Sequence, residues 1–213
     1  MTATSQPTDF WSSFLPEPLP NQDTDLLRQV GFIPGLKELL MVRQVHALEH
    51  ATVWILSGSA GAAIPDINFD QNETDTGNLG GLSTEQGFYL YGQVDASDVR
   101  RAAQEALTRM VGGEWNLAVH PRCGTNLSVG MLLTVSLAFG MHLLLPRGPI
   151  EQLLGLGFAA STATQLTPEL GRLVQQHLTT AVPFNLTIQN VAIAPDVWGR
   201  PTHFVQTVWI DPH

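Results

Sequence analysis

The sequence predicts an α+β protein organised around a hydrophobic helical hairpin. Three observations lead to this class. Apolar residues recur with helical spacing from residue 35 to 56, which is typical of a largely buried helix. The 23 residues from Gly124 to Pro146 carry no charged side chain, and such a length is enough to cross a bilayer as a helix. Alternating apolar residues over Leu186–Ile193 and Thr202–Ile210 predict a C-terminal β-hairpin.

Composition narrows the classes of partner. The 213 residues include 10 Lys and Arg against 19 Asp and Glu, which gives a net charge of −9. Clustered basic side chains are needed to neutralise phosphates, so nucleic acid is not an expected partner. The single cysteine, Cys123, excludes an intrachain disulfide and indicates a reducing compartment.

The first part of the chain reads as a tail, a helix and a loop. Residues 1–25 are rich in Pro, Ser, Thr and Asp and predict a disordered acidic tail. The apolar helix follows Pro34-Gly35 and ends at Ser57-Gly58. Residues 58–82, rich in Gly, Asn and Asp, predict a solvated acidic loop.

A small β-α-β unit is expected next. Gly87–Tyr91 predicts a short strand, and residues 95–111 show the apolar stripe of an amphipathic helix. Residues 114–120 alternate between apolar and polar side chains, which is typical of a half-buried strand. This second strand would deliver His120 to its end.

The uncharged run has two interpretations. It predicts a transmembrane helix that pairs with the weaker apolar segment 153–166, or a core helix diluted by polar residues. If the hairpin inserts, nine of the ten basic residues lie on one side and Arg147 alone lies at the tip, which favours a cytoplasmic head.

The predicted organisation therefore has four segments along the chain. They are a tail (1–25), an α+β metal-site domain (26–126), the hydrophobic hairpin (127–168), and a C-terminal helix end with a β-hairpin packed on the domain (169–213).

The first candidate site lies in the middle of the apolar helix. His46, Glu49 and His50 form an H-x-x-E-H pattern, in which the two imidazoles project from one face one turn apart. This order occurs in zinc peptidases, where the glutamate activates water. The alternative is a set of polar residues satisfied within a helix interface.

A second cluster supplies further donors. His120 and Cys123 form an H-x-x-C turn across Pro121 and Gly124, a spacing that suits two ligands from one loop. All four side chains together would suit tetrahedral Zn²⁺ as a closed structural site. In an open variant only three protein ligands bind, and Cys123 or His120 stands beside the metal.

Two functions fit these residues. The first is a metal-dependent hydrolase that cleaves an amide or ester bond with Glu49 as general base. The second is a non-catalytic assembly or scaffold factor, whose metal pins the first helix to the turn at Pro121.

Several motifs resemble those of an uncharacterised family of cyanobacterial and plastid membrane proteins. They are Arg43–Thr52, Gly80–Thr84, Gly87–Gly92, His120–Asn126 and Gly171–Thr180. The segments containing H-A-L-E-H and H-P-R-C-G-T are also similar to those of a wider bacterial membrane family described as a predicted metal-dependent enzyme.

The resemblance implies a metal site at His46, Glu49, His50, His120 and Cys123, and a location in the plasma or thylakoid membrane. On this reading residues 127–166 contact the bilayer, the N- and C-terminal parts face the cytoplasm, and a membrane protein is a further expected partner. No known substrate comes with either family.

Overall fold

The computed structural model describes residues 18–58 and 79–210, and within these ranges it contains five α-helices and one four-stranded sheet. In chain order the elements are α1 (Gln22–Val30), α2 (Leu36–Leu56), β1 (Gly80–Thr84), β2 (Gly87–Tyr91), α3 (Ala96–Val111), a 3₁₀ turn (Trp115–Ala118), α4 (Gly124–Leu144), α5 (Pro149–Val174), a π-helical turn (Gln175–Thr179), β3 (Leu186–Pro195) and β4 (Pro201–Trp209). The α+β class, the helix that carries H-x-x-E-H, the helical hairpin and the C-terminal β-hairpin are confirmed.

The sheet is antiparallel throughout, with the strand order β1-β2-β4-β3. Phe88 on β2 lies opposite Val205 on β4, so the C-terminal hairpin extends the sheet that β1 and β2 begin. Helices α2 and α3 pack together and against the strands. One covered face is the usual arrangement for an antiparallel sheet.

The core explains why α2 is apolar over most of its circumference. Nearly every side chain from Gln44 to Val53 is buried, because the sheet, α3 and the 3₁₀ turn surround this half of the helix. Its apolar members join buried residues of both hairpins and α3 in one cluster, which includes Val45, Leu48, Phe88, Leu90, Val99, Met110 and Val205.

The predicted strand over residues 114–120 is wrong. The segment forms a 3₁₀ turn, in which Leu117 N–H donates to the Glu114 carbonyl. The carbonyls of Ala118 and Val119 accept hydrogen bonds from side chains of α2, so no neighbouring strand is needed to satisfy them. The β-α-β unit is consequently replaced by an antiparallel β1–β2 hairpin followed by α3 and this turn.

Two further elements depart from the expectations. The loop expected over 58–82 lies largely outside the described residues, but its last residues, from Gly80, pair with β2 as β1. Helix α1 begins at Gln22, inside the segment assigned to the tail, whose residues 1–17 also lie outside the described ranges. Asn185 donates to the buried Thr24 hydroxyl, a distant contact that a local pattern does not reveal. The division into four segments stays a prediction.

Helices α4 and α5 form a close antiparallel pair joined by residues 145–148. Small buried residues of α5 are spaced by four or eight positions and so share one face of the helix; they are Gly155, Ala159, Ala163 and Gly171. A Cβ at Gly130 of α4 would approach Thr167 to 3.1 Å. The helices therefore touch over their whole length because small side chains line the contact.

The outward surface of the hairpin is apolar. In the part of the chain that the structure describes, α4 is the one helix long and apolar enough to cross a membrane, with a mean hydropathy of 1.8 and no buried residue. Its 21 residues span about 32 Å, close to the roughly 30 Å of a bilayer core. Large side chains such as Leu132 and Phe139 of α4 and Leu153 and Phe158 of α5 are exposed.

Candidate metal centre

The H-x-x-E-H residues occupy the middle of α2. Here this helix meets the start of α4 and the turn Gln175–Thr179 after α5, which together we call the foot of the hairpin. His50 and Glu49 are buried, and His46 is half-buried. The rings of His46 and His50 lie 4.3 Å apart between centroids, as expected for residues four positions apart on a helix.

Backbone carbonyls orient both imidazoles. His46 Nδ1 lies 3.0 Å from the Thr179 carbonyl oxygen, and His50 Nδ1 lies 2.6 Å from that of Ala118. A carbonyl only accepts, so each Nδ1 carries the proton and donates it, which leaves the Nε2 lone pair free. Metal-binding histidines are held in this way in known sites.

Cys123 approaches the two histidines from the start of α4. It is the N-cap residue of that helix, and its Sγ accepts from Thr125 N–H at 3.4 Å. Burial raises the pKa of the thiol, but the contact with His50 and the Thr125 N–H lower it by more, so the net pKa lies below the usual value. The thiol is therefore more acidic than an ordinary cysteine, and the thiolate is the form that binds metals.

These three side chains converge. The candidate ligand atoms of His46, His50 and Cys123 all lie within 4.8 Å of one another, and Cys123 Sγ is 3.4 Å from His46 Nε2. Ligands at neighbouring corners of a zinc tetrahedron are separated by about 3.5 Å for one sulfur and one nitrogen. The donor set and its spacing thus fit a tetrahedral ion, and residues 18–58 and 79–210 supply no ligand for the fourth corner in this group.

His120 lies beside this group rather than within it. Its ring centroid is 5.7 Å from that of His50, and the ring packs against Trp54. Its Nδ1 accepts from Arg122 N–H at 3.3 Å, the opposite orientation to that of the other two histidines. Burial, the nearby His50 and Arg122 lower the pKa of His120 to about 3, so its ring is neutral. The arrangement corresponds to the open variant of the predicted site.

Glu49 faces β1. Its carboxylate accepts a hydrogen bond from Ser83 Oγ and lies against the backbone of Gly81, where a side chain would overlap with it. Burial raises the pKa of Glu49 above its usual range, although Ser83 and His46 act in the opposite direction. The carboxylate lies outside the group of three candidate ligands and beside His46 on the same helix.

Gln175 after α5, Asn126 of α4 and Arg43 of α2 complete the site; they lie within the motifs of the resemblance but were not among the candidate site residues. Gln175 is fully buried; its Oε1 accepts from His120 N–H, and its Nε2 donates to Asn126 Oδ1. Asn126 in turn donates to the Pro121 carbonyl, which fixes the H-P-R-C turn. Arg43 donates to carbonyls on both sides of Thr179 and so holds the carbonyl that orients His46.

The resemblance includes these residues in its motifs, but their residue types gave no reason to assign them to the site. Amides in an otherwise apolar helical hairpin need partners if they are buried, but nothing in the spacing of Asn126 and Gln175 pairs one with the other. The π-helical turn after α5, a feature that is frequent near functional sites, brings them together.

Fold and site together define an α+β protein with a candidate three-ligand metal centre at the foot of an apolar helical hairpin. Residues 41–191 match the family model described as a domain of unknown function, DUF6391, and the chain belongs to that family. An uncharacterised protein of the cyanobacterium Picosynechococcus sp. (strain PCC 7002) is 48% identical over 202 residues, which cover 95% of this chain and 96% of the relative.

Membership of an uncharacterised cyanobacterial family is thereby confirmed. The likeness to a wider bacterial membrane enzyme family stays a prediction. No solved structure matches the chain.

Proposed function

We propose that this chain is a membrane-attached zinc protein that hydrolyses an amide or ester bond. The observation that carries the proposal is the convergence of His46, His50 and Cys123 at the foot of the hairpin. Three protein ligands are the usual number in catalytic zinc sites, whereas structural sites use four.

The ligand types favour zinc among the common ions. Thiolate and imidazole donors suit Zn²⁺, and hard ions such as Mg²⁺ or Ca²⁺ prefer oxygen ligands. His46, His50 and Cys123 would hold the ion. Bound Zn²⁺ would supply a water of pKa near 7 and polarise a substrate carbonyl.

Glu49 is the general base of the proposed reaction. Burial holds its pKa above the usual range, nearer to neutrality, where a carboxylate accepts and returns a proton most effectively. The hydrogen bond from Ser83 fixes the orientation of the carboxylate. His120, neutral and adjacent, is an available donor to the substrate rather than a ligand.

The hairpin attaches the protein to the bilayer in this proposal. Helix α4 has the length and hydropathy of a span, and α5 packs beside it with a similarly apolar outer surface. Residues 127–166 would contact lipid, with Arg147 at the far end and the remaining basic residues on the cytoplasmic side. The membrane is the plasma or thylakoid membrane.

The test uses the full chain purified from membranes in mild detergent. Metal analysis of the unaltered protein is expected to give stoichiometric zinc, and His50→Ala and Cys123→Ser are expected to lose it. Glu49→Gln keeps the zinc and abolishes hydrolysis in a screen of ester and amide substrates. Glu38→Gln, an exposed glutamate in the first turn of the same helix, is the matched control and changes neither.

Absence of zinc from the unaltered protein would refute the metal site. Full hydrolytic activity of the Glu49→Gln protein on a substrate cleaved by the unaltered chain would refute the assigned base.

A second candidate function is a non-catalytic assembly factor with a structural metal. It is favoured by the fact that the site joins three elements: α2, the start of α4 and the turn after α5. In that case His50→Ala loses the fold together with the zinc. In the catalytic case the apoprotein keeps its secondary structure and its unfolding transition.

A further inference from the structure

We call the part of the protein outside α4 and α5 the head. A second apolar surface lies on this head, outside the metal centre. It consists of Phe32 and Ile33 in the α1–α2 connection, Leu39 on α2 and Leu178 in the π-helical turn, and we call it the α2 strip. Phe32 is 82% exposed, Leu39 57% and Leu178 67%. Exposed residues of this size in one place mark a binding surface more often than scattered single ones do.

The strip is continuous with the foot of the hairpin. Leu39 and Arg43 are four residues apart and share a face of α2, and Arg43 donates to the carbonyls of His177 and Thr180 on either side of Leu178. At the other end, Leu36 N–H donates to the Ile33 carbonyl, which holds the connection against the start of α2. The apolar surface thus runs from the hairpin along the N-terminal half of α2.

One basic side chain lies on the same face of α2 as the strip. It is Arg43, four residues after Leu39; Lys37 is two residues before Leu39 and points to another side of the helix, where its Nζ lies 5.8 Å from the centre of the Trp209 ring. Helix α3, elsewhere on the head, is amphipathic and presents Asp98, Arg101 and neighbouring charged residues to solvent. Aromatic and basic side chains next to apolar ones are typical of the headgroup region of a bilayer.

We propose that the α2 strip lies in the lipid headgroup region, so that the head rests on the bilayer beside its own hairpin. This inference rests on the proposed membrane attachment. The bilayer is the occupant favoured by continuity, because the strip begins where the lipid-facing surface of the hairpin ends. The metal centre, half-exposed at His46 between the strip and α4, then faces the membrane interface, and its substrate class is an ester or amide presented at headgroup depth.

The test is photocrosslinking of the full chain in vesicles of phosphatidylcholine and phosphatidylglycerol. The photoreactive residue p-benzoylphenylalanine replaces Phe32, Phe139 or Val197 in separate proteins. Phe139 reports insertion of α4. Val197 is an exposed apolar residue of similar accessibility in the β3–β4 turn and serves as the control. Mass spectrometry identifies the crosslinked molecule.

Lipid adducts at positions 139 and 32, with none at 197, are the expected result. Adducts at 139 without adducts at 32 overturn this inference and leave the membrane attachment standing. No adduct at 139 overturns the membrane attachment itself. Crosslinks from position 32 to residues 1–17 of the same chain, or to a second copy, would also overturn the inference by showing a different occupant.

A paired substitution tests the same contact without a photoreactive group. Phe32→Ser with Leu39→Ser is expected to increase amide hydrogen exchange in the α1–α2 connection in vesicles but not in detergent solution. The matched control, Val197→Ser, leaves exchange there unchanged in both. Equal exchange with and without the bilayer in the unaltered protein would contradict the proposed contact.

Discussion

Gly171→Ala is the perturbation that most sharply tests how the foot of the hairpin supports the metal centre. A Cβ at this position of α5 would overlap with the Asn126 Oδ1 and lie 3.0 Å from its Cγ. Asn126 cannot retreat freely, because its side chain accepts from Gln175 and donates to the Pro121 carbonyl, both at 2.8 Å. The methyl group therefore forces the amide out of a bridge between α5 and the H-P-R-C turn.

The expected cost follows from the bonds that are lost. Two hydrogen bonds contribute about 1 kcal/mol each, and leaving the fully buried Gln175 amide without its partner costs about 1–3 kcal/mol. Alanine regains about 1 kcal/mol of helix propensity relative to glycine. The net destabilisation is about 2–4 kcal/mol. Displacement of the turn that carries Cys123 should weaken zinc binding about tenfold or more, as for other residues that orient ligands.

The assay combines thermal unfolding in detergent with a competition titration against a chromogenic zinc chelator. Gly157→Ala is the matched control on the same helix, since a Cβ there meets no atom within 4 Å. The control should bind zinc normally and unfold at the same or a slightly higher temperature. If Gly171→Ala behaves like this control in both measurements, the bridge through Asn126 does not support the site.

Three further outcomes are expected. Gly81→Ala pushes the buried Glu49 carboxylate out of its place against β1. It should therefore lower the unfolding temperature and any rate of hydrolysis. Gly80→Ala is the control and should change neither, because a Cβ there meets no atom within 4 Å. The thiolate absorbance of Cys123 in the zinc-free protein should appear at a lower pH than in a free cysteine, and His50→Ala should move this midpoint upward. His120 has a pKa of about 3 in the folded protein, against 6.5 for an ordinary histidine. The unfolded state therefore takes up the proton first, and stability should fall as the pH decreases from about 6.5 towards 3. His120→Asn should flatten this slope in urea titrations.

The proximity of the two candidate ligands on α2 was predictable because it depends only on helical periodicity. His46 and His50 are four residues apart, and an unbroken helix places their rings on one face whatever surrounds them. The place of His120 beside the group of three was not predictable, since it depends on the orientation of its ring. That orientation is set by Arg122 N–H and Trp54, contacts that form only when the turn packs against α2.

The fold shows the same division between local and tertiary causes. The hydrophobic hairpin and β3–β4 arise from composition and alternation, and both were predicted from the sequence. The segment from Glu114 to His120 has the alternation of a strand but forms a 3₁₀ turn, because His50 and Trp54 take the carbonyls that a neighbouring strand would have bonded. The periodicity of a sequence indicates which side chains are buried. Tertiary contacts decide which partner each backbone N–H and C=O group bonds to.

The geometry also links metal binding to the docking of the hairpin. His46 and His50 lie on α2, and Cys123 is the residue just before α4. The Thr179 carbonyl, in the turn after α5, accepts the hydrogen bond from His46. An ion at this point would bind only when the start of α4 and the turn after α5 both pack against α2. Part of its binding free energy would therefore stabilise this packing. By the same linkage, any force that shifts the hairpin relative to the head would change the affinity for such an ion. The catalytic and structural candidates are therefore not exclusive, because a three-ligand ion at this junction would leave one position for chemistry while it fastens the head to the hairpin.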